Sequence, residues 1–205
     1  MAIKKRPVSP RQKMINLMYV VLMAMLALNV STEVLDGFSI VEDSLNRTTA
    51  NSSAENNAIY SDFADQMKQN PTKVREWFEK AKQVKDMSDA LYNFAQELKV
   101  AIVQEADGKN GDVSNIKNKE NLEAAGIVML APGSGKGKKL YTELNRYRDR
   151  ILQLVTDEHQ KKIIASNFST QVPKSEKYLG KNWQEYMFED MPVAAAVTLL
   201  TKLQS

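Results

Sequence analysis

Residues 14–30, MINLMYVVLMAMLALNV, constrain this chain more than any other stretch, because seventeen consecutive positions carry no charge and a basic tail stands directly before them. A helix rises about 1.5 Å per residue and the hydrocarbon core of a bilayer is about 30 Å thick, so a run of this length crosses only with help from its flanks. The flanks are of the right kind. Ser9 is an N-cap residue type, Pro10 suits the first helical position and Gln12 stands three residues after Ser9, so S-P-R-Q reads as a capping box that opens a helix at Pro10. The expected organisation is a basic tail over residues 1–9, a transmembrane helix over 10–32 and a folded remainder over 33–205.

Charge fixes the expected orientation. Lys4, Lys5, Arg6, Arg11 and Lys13 meet no acid in the first thirteen positions, and they leave 23 basic residues against 25 acidic in the rest of the chain. The net charge of +3 is therefore a property of the tail. It argues against a folded basic surface, and no nucleic-acid partner is expected. The first acids after the apolar run are Glu33 and Asp36, so the positive-inside rule puts the amino terminus in the cytoplasm and the folded part outside, in a bacterium the periplasm. A cleaved signal peptide competes with a retained single-pass anchor. A cut after Ala27 would place Met25 where a small residue is wanted, and the helix is expected to continue beyond Ser31, so retention is the reading adopted. The chain has no cysteine, and the exported part must be held by packing alone.

Beyond Val30, Val34, Phe38, Val41 and Leu45 recur at spacings of 4, 3 and 4, the mark of a helix with one apolar seam, here expected to support a dimer. The seam weakens through NRTTANSSAENN and resumes at Ile59, Phe63 and Met67. Asn70 and Pro71 read as N-cap and first position of the next helix. That helix carries Val74, Trp77, Phe78, Ala81, Val84, Leu91, Phe94, Leu98, Ala101 and Ile102 on one face and should end near Glu105. Residues 107–139 read as a long connection with an apolar patch over 124–131. A third helix is expected from Leu140 to about Asn167, then an aromatic stretch with Trp183, Tyr186 and Phe188, then a last helix from Met191 capped by Asp190. With no period-2 strand, the expected fold class is all-α: a single transmembrane helix running on into an up-down helical bundle.

Chemistry is sparse. The stretch from Pro132 to Gly137 invites a phosphate-loop reading, but that motif needs Gly and Ser or Thr where Leu130 and Gly137 stand, so residues 132–139 read as a flexible surface loop. His159 is the one histidine and has no cysteine to accompany it, which argues against a metal centre. No enzyme, no cofactor and no metal are expected. The polar residues of the membrane helix are another matter. At 100° per residue, Arg11, Gln12, Asn16, Tyr19 and Asn29 fall within one arc of about 140°, with Lys13 beside it. Met14, Leu17, Val20, Val21, Met25 and Leu28 face the other way, and Val20, Ala24, Ala27 and Ser31 form a strip of small residues suited to close helix packing. For Tyr19 and Asn29 ordinary interfacial anchoring is the competing reading. Arg11 opposes the helix dipole from the first turn and either snorkels to lipid phosphate or meets a carboxylate on another membrane protein, since no acid lies between Met14 and Val30.

The string PRQKMINLMY, continuing through MAMLALNVS to Ser31, resembles the amino terminus of the GldM/PorM family, and the later segment is similar in pattern to that family's first periplasmic domain, a helical bundle. What the resemblance implies is an inner-membrane motor component of type IX secretion and gliding, driven by the proton motive force. It implies a homodimer whose helices sit inside a pentameric ring of a GldL-like multi-span protein, with Arg11 facing an intramembrane Glu of that ring. It also implies a longer chain whose further β-rich domains reach outer periplasmic secretion components, so this sequence is expected to be a piece of it. Two other classes differ on inspection of the sequence. A stator of the MotB, TolR or ExbD type carries its proton-accepting Asp in its own membrane helix, and a four-helix sensory receptor has a second span, for which residues 191–203 are too short.

Overall fold

The structure is a computed structural model that describes residues 9–28 and 31–205. It is all-helical among those residues: α1 (Pro10–Leu28), α2 (Thr32–Gln69), α3 (Pro71–Asp107), α4 (Ala124–Leu130), α5 (Gly137–Leu154), α6 (Glu158–Asn167), a 3-10 turn (Glu176–Tyr178), α7 (Trp183–Phe188) and α8 (Val193–Gln204).

The frame is a hairpin of two long helices. α2 has 38 residues, about 57 Å at 1.5 Å per residue. Asn70 alone makes the corner: it ends α2 by donating its N–H to the Gln66 carbonyl at 2.8 Å, and it precedes Pro71, which has no N–H to leave unpaired at the start of α3. Its side chain forms no cap bond, so the N-cap expected there is one of position only. In the polar middle of α2, Thr48 and Thr49 donate to the carbonyls of Ser44 and Leu45 at 3.0 and 2.9 Å, which satisfies their hydroxyls inside the helix.

The core lies at one end of this hairpin. Leu91, Ala95, Leu98, Ile102 and Val103 of α3 are buried with Ala124, Ala125 and Met129 of α4, Leu140 and Leu144 of α5, Trp183 and Phe188 of α7, and Val193, Ala196, Val197 and Leu200 of α8. α8 is enclosed by α2, α3 and α4. It runs parallel to α2, since Thr198 meets Phe38 and Thr201 meets Glu42, and antiparallel to α3, since Thr201 meets Lys99 and Gln204 meets Tyr92.

Several expectations need correction. The helix expected from Leu140 to Asn167 breaks at Val155, where the backbone turns extended, and Asp157 then caps α6 by accepting from the Gln160 N–H at 2.7 Å. Asp190 does not cap the last helix: it adopts a left-handed φ of 52°, and Pro192 takes the N-cap position. The first amides of α8 are satisfied from elsewhere, Val193 donating to the Asn121 carbonyl at 3.0 Å and Ala194 to that of Lys119 at 3.1 Å. Trp77, on the apolar face of α3, is 58% exposed. A two-helix end offers one narrow seam, which Phe78 fills against Tyr60 with ring centroids 5.5 Å apart.

The long connection is ordered by its own side chains. Asp107 accepts from the backbone of Lys117 and Asn118 at 2.8 and 2.9 Å, and Asn121 accepts from Glu123 and Ala124 at 2.9 Å. Residues 132–136 are a surface turn, and the helix after them starts at Gly137 rather than Leu140. The Gly135 N–H donates to the Ala131 carbonyl and that of Lys136 to Val128, and a Cβ on Gly135 or Gly137 would stand 2.7 Å from the Met129 carbonyl oxygen. These glycines are there because the backbone folds back against the end of α4.

Candidate functional site

Two groups of residues stand out, one on α1 and one inside the bundle. On α1 the capping residue behaves as expected, with Ser9 Oγ accepting from the Gln12 N–H at 3.3 Å. The reciprocal half of the box does not form. Gln12 instead donates through Nε2 to Asn16 Oδ1 at 3.0 Å, which joins two members of the polar arc on one face. Every side chain described from Ser9 to Met23 is exposed, including Arg11, Lys13, Tyr19 and Val20, and among the described residues neither Arg11 nor Lys13 has an acidic partner within ion-pair distance. The side chains of Ala24 and Ala27, all of Asn29, and the tail over residues 1–8 lie outside the described residues.

No described helix is long and apolar enough to cross a membrane. α1 spends its first turn on Arg11, Gln12 and Lys13, and residues 14–28 cover about 22 Å at 1.5 Å per residue. Nor does one helix run through Ser31. Ser31 is extended, with φ −65° and ψ 143°, and caps α2 by accepting from Val34, while its hydroxyl donates to Glu33 at 2.8 Å. That bond holds the Glu33 carboxyl below its ordinary range. Ser31 therefore belongs to the start of α2 and not to the small-residue strip of α1.

The seam expected on α2 is divided by the fold. Phe38 and Leu45 are half-buried, and the Phe38 carbonyl accepts from the Thr198 hydroxyl of α8 at 3.2 Å. Val34 and Val41 remain 51% and 49% exposed, on a flank of α2 left open among the described residues.

Inside the bundle, α2, α3 and α8 enclose a polar cluster that periodicity does not single out. Lys99 is 4% exposed, and its ammonium donates to Thr201 Oγ1 at 3.1 Å. Thr201 Oγ1 also lies 3.0 Å from the Val197 carbonyl and 3.5 Å from Glu42 Oε1. Lys119 reaches in from the connection before α4, donating to Ser39 at 3.0 Å and standing 3.6 Å from Asp36. Burial pushes the Glu42 carboxyl above its ordinary range, opposed by the nearby Lys99, and burial pushes the Lys99 ammonium down, opposed by Glu42. A sequence signal for this cluster exists in hindsight. Lys99 stands 40° from Ala95 and 60° from Ile102 on the helical wheel, and no acid lies three or four residues away in either direction, so its counter-charge had to be tertiary.

A groove of about 680 Å³ between α3 and α5 has Met87, Leu91, Phe94 and Tyr147 in its walls, with Lys139 over the Phe94 ring at 4.6 Å. His159 is exposed, and among the described residues no group of side chains could hold a metal ion. The family model described as the GldM N-terminal domain matches residues 33–205. Among curated proteins none matches the sequence.

Proposed function

Because this chain belongs to the GldM family, we propose that it is the inner-membrane, proton-driven subunit that passes force from a membrane partner ring into the periplasm for type IX secretion and gliding. The observation that carries the reading is the pairing, in one chain, of a helix with one polar face and a long capped helix after it. α2 has 38 residues, is capped by Ser31 and is packed at its base against α8, which suits it to act as a strut. In this reading α1 crosses the membrane, and the protein works mechanically, not as an enzyme.

Arg11, Gln12 and Asn16 are the working face. A guanidinium at the edge of a bilayer is costly unless it snorkels or is paired. An intramembrane carboxylate on a GldL-like ring would pair with Arg11 when ionised and release it when protonated, and successive sites around a pentameric ring would make that alternation a step. A pair of copies within the ring would use the small-residue strip of Val20, Ala24 and Ala27 for close approach. Val34 and Val41, left uncovered on α2, support a dimer continuing outside the membrane.

The test is substitution at Arg11. Arg11→Gln should leave the complex with its ring partner assembled while secretion and gliding stop, and Arg11→Lys should restore part of the activity because it keeps the charge and loses the planar fork. Full secretion by Arg11→Gln would overturn the reading.

A further inference from the structure

Three groups compete for one hydroxyl at the centre of the bundle. Lys99 Nζ stands 3.1 Å from Thr201 Oγ1, the Val197 carbonyl 3.0 Å and Glu42 Oε1 3.5 Å. A hydroxyl has one proton and two lone pairs. With Lys99 on one lone pair, the proton goes either to Val197, inside α8, or across to Glu42 on α2. When it goes to Val197, an ionised Glu42 oxygen faces the remaining lone pair, which repels it; a protonated Glu42 donates into that lone pair instead. We propose that Thr201 is a two-position hydrogen-bond switch thrown by the protonation of Glu42. With Glu42 ionised it ties α8 to α2 through a charge-assisted bond, and with Glu42 neutral it returns its proton to Val197 of its own helix.

The surroundings suit this. Glu42 is faced by Lys99 from α3, by the Thr201 hydroxyl from α8 and by Lys119 from the connection before α4, with Asp43 beside it on α2. Lys119 is already engaged with Ser39 and Asp36, which leaves Lys99 as the main counter-charge. Burial raises Glu42 and lowers Lys99, and in each case the charge of the other group opposes the shift. The sign follows from the raised carboxyl. In the window above the ordinary carboxylate range the folded chain holds the Glu42 proton more tightly than the unfolded chain, so the stability due to that proton is present at low pH and is lost as pH rises through the raised value. The ionised joint is thus the less stable state and the more firmly cross-linked one. This concerns the bundle alone and is independent of the role proposed for α1.

The experiment is carbonyl and carboxyl carbon NMR on the full chain in detergent, following Glu42 and Val197 from about pH 4 to about pH 9. The Val197 carbonyl should titrate in the wild type with the same midpoint as the Glu42 carboxyl, should stop titrating in Glu42→Gln, and should stop titrating in Thr201→Val while Glu42 still does. Thr201→Ser, which keeps the hydroxyl, should retain the coupled change, and it serves as the check where Glu42→Gln does not fold. A Val197 carbonyl that stays flat while Glu42 titrates, a Val197 titration that survives in Thr201→Val, or a Glu42 that does not titrate in the range, would each overturn the switch.

Discussion

The two ends of the α2–α3 hairpin are made of the same two helices and differ in what covers them. At the base, α3 buries Leu91, Ala95, Leu98, Ile102 and Val103 under α4, α5 and α8, and α2 contributes Leu35. Toward the corner at Asn70, no residue of either helix is fully buried, Ile59 and Trp77 are exposed, and the contact between helices includes the half-buried pair Tyr60 and Phe78. A lone seam removes little surface from water, so the far end depends on helix propensity and local ion pairs such as Lys80 with Glu76 at 2.6 Å. The base can therefore hold a fixed shape on its own contacts, and the far end takes its shape from the base. In the function proposed above, the far end would serve as a lever and the base as its seat.

Substitutions ranked by size sharpen this contrast. Leu98→Ala and Phe188→Ala, each at a side chain with no exposure, should cost about 3–5 kcal/mol by chemical denaturation. Gly137→Ala should cost about 1–3 kcal/mol, because its Cβ meets the Met129 carbonyl at 2.7 Å and Gln184 at 3.1 Å. At the far end, Phe78→Ala should cost about 1–2 kcal/mol, the share due to a half-buried ring. Trp77→Ala should stay within about 0.5 kcal/mol, since it removes an exposed ring whose partner is the Lys80 ammonium 4.8 Å away. Equal losses for Leu98→Ala and Phe78→Ala would break the comparison. Hydrogen exchange offers a finer measure: amides over residues 55–85 should open well before those over 91–103, and matched protection would count against the division.

Much of the frame was legible because it depends on local signals. The Asn-Pro corner, the long period of α3 ending at Asp107 and the absence of strands among the described residues all follow from residues within a turn or two of one another. Position 31 shows where local reading fails. Ser31 after an apolar run reads equally as the next residue of a helix or as the cap of a new one, and the cap bond to Val34 decides it. Asp157 was open to the same choice inside an otherwise continuous apolar pattern. Val34, Phe38, Val41 and Leu45 read as one seam, yet α8, about 160 residues further along the chain, draws in Phe38 and leaves Val34 exposed.

The sequence by itself determined the helical class, the order of the main helices, the charge asymmetry of the amino terminus and the polar arc on α1, because periodicity, caps and charge are properties of neighbouring residues. Tertiary structure alone decided which faces are covered, why Gly135 and Gly137 must be glycine, and that Lys99, Thr201 and Glu42 share one buried hydroxyl. Those three side chains come from positions 42, 99 and 201, and a buried charge finds its partner across the fold when its own helix offers none.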